Sequence, residues 1–134
     1  MRLPLIFAAM VPLVAAAAAS RDEQVSFARD VQPIFNAQCV MCHNSDDPHA
    51  GLVLDAGLSH SQLVGMGSSE TSQMLRVAAG KPDQSYIVRK LENTHLEAGG
   101  KGWWMPPPTH IASSITLQDR TLIRTWIIQG AKDN

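Results

Sequence analysis

The feature that most constrains this chain is the run Cys39-Val40-Met41-Cys42-His43, which holds both cysteines of its 134 residues. Several kinds of site use two cysteines at this spacing. A disulfide would join the two sulfurs directly. A thioredoxin-like redox pair needs a strand before the motif, but residues 26–35, interrupted by Pro33, do not read as a strand. A zinc site needs a second pair of ligands, and the other histidines are scattered along the chain.

Covalent attachment of a c-type haem is the remaining use of the pattern C-x-x-C-H. Cysteines three residues apart lie on the same side of one helical turn, so their sulfurs reach the two vinyl groups on one porphyrin edge. His43 is then turned toward the iron, with its imidazole as the proximal ligand. We favour one covalently attached haem c on Cys39 and Cys42, with a bare disulfide as the main alternative.

The first twenty residues have the layout of a secretory signal peptide. Arg2 supplies positive charge, an apolar or small run follows over 3–19, and Ala17-Ala18-Ala19 before Ser20 offers a cleavage site. We expect residues 1–19 to be cleaved and residues 20–134 to form one domain, a retained membrane anchor being the alternative. Export places the cysteines in a compartment where they can be oxidised.

The second axial ligand is best sought in the segment 102–108, which contains Met105 followed by three prolines. Each proline locks its own φ and restrains the residue before it, so the loop is stiff. Methionine with histidine is one of the few ligand pairs that haem iron uses. His110 is the second candidate. We expect Trp104 and Pro106 to pack against the haem, while the alternative for Trp104 and its neighbour Trp103 is an interface with a partner.

Composition excludes a broad basic surface, because 11 Lys+Arg stand against 12 Asp+Glu and the net charge is −1. Nucleic acid is therefore not an expected partner. Helical patterns are predicted over 26–35, 68–79 and 82–91, and over 117–128 after a capping box at Thr116. The prediction is an all-α domain whose loops are long for its size, as they would be if they wrapped a cofactor.

Taken in order, these residues resemble a class I c-type cytochrome, and more narrowly the planctomycete-type cytochrome c domain. The resemblance implies a small mono-haem cytochrome c fold in which the N- and C-terminal helices cross, with Phe35 near Trp126, and loops wrap the haem. It also implies His43 and Met105 as the axial ligands. The matching segments are 27, 31–35, 39–43, 51–54, 80–86, 105–107, 117 and 123–131.

The predicted function is that of a periplasmic mono-haem electron carrier of a bacterium, not an enzyme. No acid–base pair, nucleophile or phosphate-binding loop indicates that the chain itself turns over a substrate. Its partners would be a redox donor and a redox acceptor met by transient contact, with membrane contact only if the signal segment is retained. The alternatives are a haem sensor or peroxidase-like enzyme with a displaceable distal ligand, and a dedicated electron-accepting subunit of a periplasmic dehydrogenase.

Overall fold

The computed structural model describes residues 23–109 and 115–134. The predicted signal segment, 1–19, and the alternative ligand His110 lie outside the described residues. In the described part of the chain, no helix has the length and apolar character needed to cross a bilayer. The α-helices are α1 (Gln32–Gln38), α2 (Ser59–Leu63), α3 (Tyr86–Leu91) and α4 (Leu117–Ile128), with a π-helical turn at Phe27–Val31 and 3-10 turns at His49–Gly51 and Pro82–Gln84.

The prediction of an all-α cytochrome c fold is wrong. The four α-helices have 7, 5, 6 and 12 residues, and turns and irregular loops carry the chain between them. Isolated bridges join loop segments, but the described residues form no sheet. The result is a small, loop-rich fold rather than a helical bundle.

Residues 68–79 illustrate why the helix prediction failed. The run from Gln73 to Arg76 and the two alanines that end the segment favour a helix locally. In the structure Val64 bridges Val77, and Gly67 bridges Leu75. The fully buried Val77 belongs to the hydrophobic core. Long-range pairing has therefore replaced the local helical hydrogen bonds.

The start of the helical region follows its sequence signals. The Ser26 hydroxyl accepts a hydrogen bond from the Arg29 amide at 3.2 Å, and the Asp30 carboxylate accepts one from the Ser26 amide at 2.8 Å. Pro33 lies in the first turn of α1, where a missing N–H costs least. The π-helical turn Phe27–Val31 gives way to the α-helix α1 at this point.

Helix α4 agrees most closely with its prediction. The Thr116 hydroxyl accepts a hydrogen bond from the Asp119 amide at 3.1 Å, and the Asp119 carboxylate accepts one from the Thr116 amide at 2.9 Å. These two bonds form the predicted capping box. Gly130, with φ of +102°, follows the end of the helix.

The N-terminal segment packs on α4 through Phe27, not through Phe35 as expected. The rings of Phe27 and Trp126 have centroids 5.0 Å apart, and Phe35 contacts Phe27 at 6.1 Å. The chain end closes the same core, because the Ala28 amide donates to the carbonyl of Asn134 at 2.9 Å. Phe35 also lines a cavity.

An ion-pair cluster joins α4 to the end of α3 and predicts a pH dependence of stability. Arg124 donates to Glu92 at 2.6 and 3.0 Å and to Asp83 at 2.9 Å. The bond from Arg124 lowers the pKa of Glu92 below its ordinary value of 4.5, although burial opposes this. Glu92 therefore stabilises the fold above its unfolded-state pKa, and this contribution is lost as the pH falls through the lower folded-state pKa.

We expect Glu92→Gln to lower the free energy of unfolding by about 1 kcal/mol near neutral pH, because the pair is partly solvated. Urea unfolding of wild type and variant at pH about 7 and about 3 measures this difference, which should shrink at the acid value. The exposed Glu97→Gln is the matched control and should show no such change. A difference independent of pH would contradict the assignment.

Candidate functional site

A largely apolar cavity of about 320 Å³ lies between α1, α3 and the loops that follow them. This volume falls at the lower end of the range typical of small-molecule sites, roughly 300–1,000 Å³. The predicted residues Cys39, Cys42, His43, Met105 and Pro106 all line it. The structure thus brings together side chains that are far apart in the sequence. Apolar walls come from Phe35, Leu52, Leu54, Leu63, Ile87 and Leu91.

The two cysteines lie in a turn that continues from the end of α1. The Cys39 amide donates to the carbonyl of Phe35 at 2.8 Å, and the amides of Cys42 and His43 donate to the carbonyl of Cys39 at 3.1 and 3.0 Å. Both thiols are half-buried and free, so the disulfide alternative is not formed in the structure. Burial, with a smaller effect of Cys42, raises the pKa of Cys39 to about 12.

His43 is held with a defined ring orientation. Its Nδ1 lies 3.0 Å from the carbonyl oxygen of His49. Because a carbonyl oxygen can only accept, Nδ1 carries the proton and the lone pair is at Nε2, the arrangement of an imidazole ligand. Burial lowers the pKa of His43, which also favours the neutral ring. The His43 carbonyl accepts from the Leu54 amide at 2.8 Å, which ties the following loop back onto the motif.

The loop that carries Met105 is attached to α3 through Lys90. The Met105 amide donates to the Lys90 carbonyl at 3.0 Å. The buried Lys90 ammonium donates to the carbonyls of Lys101 at 2.7 Å and Trp103 at 3.0 Å. The Met105–Pro106 peptide bond is cis. The sequence analysis attributed the stiffness of this loop to its prolines. It did not identify Lys90 as a residue that holds the loop.

A carboxylate completes this polar corner of the cavity. Lys90 forms an ion pair with Glu70 at 2.7 Å, and the Tyr86 hydroxyl donates to the same carboxylate. Burial opposes ionisation of Glu70, but the hydrogen bonds from Lys90 and Tyr86 outweigh it and lower its pKa. All three side chains line the cavity. One sequence signal could have indicated this network: Lys90 follows Tyr86 by four residues, so the two side chains share a helix face that also carries apolar residues.

Arg76 is a second cationic side chain that sequence reasoning missed. It lines the cavity and donates to the carbonyls of Gln62 at 2.8 Å and Gly51 at 3.3 Å. Burial lowers its pKa. These bonds join the segments on either side of α2.

The two tryptophans are only partly in the expected place. Trp104 is half-buried and packs edge to face on Trp103, with ring centroids 5.6 Å apart, but it is not among the described lining residues of the cavity. Trp103 is 57% exposed. Pro106 lines the cavity, whereas Trp104 is not among its described lining residues.

Of the remaining methionines and histidines within the described residues, His49 lines the cavity, whereas Met66, Met74, His60 and His95 are not among its described lining residues. Met66 is exposed. His60 bonds to the carbonyl of Ala131 at 2.8 Å and packs on Phe27. The buried His95 bonds to the carbonyl of Gly102 at 3.0 Å. Within 23–109 and 115–134, no three His, Cys, Asp or Glu side chains are grouped as they would be around a metal ion.

No protein-family model and no curated protein sequence matches this chain. A solved structure, Kuenenia stuttgartiensis hydrazine synthase, is similar over 80% of this chain, with 24% sequence identity and a TM-score of 0.52. The two share a fold over this region. The chain spans only 16% of the length of that protein, so the similarity concerns one part of a much longer chain.

The residues around the cavity fit a covalently held haem c. Two free thiols stand in one turn, and an imidazole with its lone pair at Nε2 follows them. A thioether from a distant loop lines the same apolar space. Thiols, imidazole and thioether are the groups by which proteins attach this cofactor and ligate its iron.

Proposed function

We propose that this chain is a mono-haem c-type electron carrier. Cys39 and Cys42 would hold the haem through thioether bonds, and His43 and Met105 would ligate its iron. The observation that carries the proposal is that these four side chains line one apolar cavity, although Met105 belongs to a distant loop. The similarity to part of a longer protein supports the fold alone and adds nothing to this assignment.

In this function the polypeptide binds the haem, orients the side chains that ligate it and excludes water from the cavity. The hydrogen bond from His43 Nδ1 to the His49 carbonyl holds the imidazole plane, and the turn at Cys39–Cys42 sets the spacing of the attachment sulfurs. When bound, haem supplies an iron that takes up and releases one electron. With haem bound, the Met105 thioether would favour the ferrous state and the apolar walls would disfavour the additional ferric charge, so both would raise the reduction potential.

Transient contact with a donor and an acceptor completes the proposal. Met41, between the two cysteines, is 66% exposed, so the attachment edge of the cavity reaches the protein surface there. Small redox interfaces of this kind do not need a large complementary surface. We propose that the mature protein works in the bacterial periplasm and turns over no substrate of its own.

The test is the visible spectrum of the protein matured with a haem-attachment system, recorded in the ferrous state before and after CO. We expect covalent haem and a low-spin spectrum that CO does not change. Met105→Ala should bind CO readily, because it opens one axial position. Met66→Ala, an exposed methionine outside the described cavity lining, is the matched control and should behave as wild type.

Two results would overturn the proposal in different ways. Rapid CO binding by the wild type would show an open distal face and favour the sensor or peroxidase-like alternative. Protein that matures without covalent haem would remove the basis for any haem function at Cys39, Cys42 and His43.

A further inference from the structure

We propose that Lys90 is a positioning residue for Met105: it clamps the loop 101–105 so that the methionine stays at the cavity. The ligand role of Met105 rests on the proposed function. The clamp itself rests on contacts of the polypeptide.

The ammonium of Lys90 has three N–H donors, and the structure gives each one an acceptor. One is the carboxylate of Glu70 at 2.7 Å; the others are the carbonyls of Lys101 at 2.7 Å and Trp103 at 3.0 Å. The Lys90 carbonyl also accepts from the Met105 amide at 3.0 Å. One residue therefore bonds to three positions of a five-residue segment, and the last of these is Met105.

Two further hydrogen bonds reach the segment: the buried His95 bonds to the carbonyl of Gly102 at 3.0 Å, and the Lys101 amide donates to Glu70 at 3.5 Å. Residues 101–105 belong to no helix or strand, and Gly99 and Gly102 have φ of +78° and +66°. Glycine permits this course but does not enforce it, because it samples many backbone conformations. Bonds from an ionised donor to carbonyls are stronger than neutral ones, and they restrict the loop to one course.

Glu70 and Tyr86 make the clamp possible. A buried ammonium is costly unless it is paired and hydrogen-bonded. Glu70 supplies the countercharge, and the Tyr86 hydroxyl, which donates to it, holds the carboxylate in place. Loss of Glu70 would leave both carbonyl contacts of Lys90 available, whereas loss of Lys90 removes them. Glu70 also accepts from the Lys101 amide at 3.5 Å, and Glu70→Gln keeps a side-chain oxygen for that bond while removing the countercharge. The two substitutions therefore separate loop positioning from the stability of the ion pair.

The experiment compares haem-attached wild type with Lys90→Leu, Glu70→Gln and the control Lys81→Leu, which removes an exposed lysine near α3. Leucine removes every donor of Lys90 without adding an iron ligand. The readouts are covalent haem on denaturing gels, the thioether-to-ferric charge-transfer band, CO uptake by the ferrous protein, hydrogen exchange of the Met105 amide, and the thermal midpoint.

We expect Lys90→Leu to keep its covalent haem and to lose most of the charge-transfer band. Its CO-binding fraction and Met105 amide exchange should rise about tenfold or more, the size expected for losing hydrogen bonds to a charged group. Glu70→Gln should lower the thermal midpoint but change the band and exchange much less. Lys81→Leu should match wild type. If Lys90→Leu does not fold, Lys90→Gln, which is too short to reach both carbonyls, should show the same changes.

One outcome would overturn the inference and leave Lys90 as a member of a buried ion pair only. In that outcome the Lys90 variants have a lower thermal midpoint, but their charge-transfer band, CO resistance and Met105 amide exchange match those of the wild type. Equal ligand loss in Glu70→Gln and Lys90→Leu would also overturn it. Wild type without covalent haem, or Met105→Ala with a wild-type band, would instead overturn the proposed function. In that case Met105 amide exchange still decides whether Lys90 holds the loop.

Discussion

Replacing Cys39 and Cys42 together with alanine should abolish covalent haem attachment. In the proposed function these thiols are the only attachment points, and the chain has no other cysteine. Mass spectrometry of the denatured protein measures the outcome, with the mass of one haem expected on wild type and none on the double variant. Each single substitution should leave one thioether and a lower yield of attached haem.

Met41→Ala is the matched control, because Met41 lies between the cysteines yet its side chain is exposed. It should carry a full complement of haem. Covalent haem on the double alanine variant would contradict the assignment of the attachment sites. An equal loss of attached haem in Met41→Ala would indicate that the substitutions disrupt the whole turn, rather than that the thiols are the attachment points.

Trp126→Ala should cause a large loss of stability, lowering the free energy of unfolding by about 3–5 kcal/mol. Trp126 is 1% exposed and packs against Phe27 and His60. Its indole Nε1 also donates to the carbonyl of Lys132 at 2.9 Å. Truncation would leave a cavity where α4, the N-terminal segment and the chain end meet. Urea unfolding of the haem-attached protein gives the free energy of unfolding.

The exposed Trp103 supplies a control with the same chemical change. Trp103→Ala should lower the free energy of unfolding by less than about 1 kcal/mol, because little apolar area leaves a buried environment. Similar losses for the two variants would contradict the placement of Trp126 in the core. Trp126→Phe should fall between them, since it keeps a ring but loses the bond to Lys132.

Local sequence signals located some elements of the fold and misplaced others. Helix α4 was predictable because its capping box, its apolar spacing and its terminal glycine all act within one segment. The segment 68–79 was not, because Val77 is buried by its bridge to Val64 and the Glu70 side chain is drawn to Lys90. Such contacts join residues that the local pattern treats separately.

The site likewise contains residues that the sequence predicted and residues that it did not. Cys39, Cys42 and His43 were predictable as a group because five consecutive residues contain all three side chains. Met105 was chosen from its proline-rich surroundings, and the structure places it on the same cavity. The Glu70–Lys90–Tyr86 network was missed, because Glu70 is distant along the chain from Tyr86 and Lys90 and no local pattern pairs it with them.

The sequence by itself determined the chemistry that this chain can offer: two thiols and an imidazole at a spacing suited to one turn, and a thioether in a stiff loop. Only the tertiary structure decided which loop faces the cavity and what keeps it there. It also decided that short helices and loops, rather than an all-α bundle, enclose the space. The physical reason is that a buried ammonium must find its acceptors wherever the fold supplies them, and no local pattern specifies those partners.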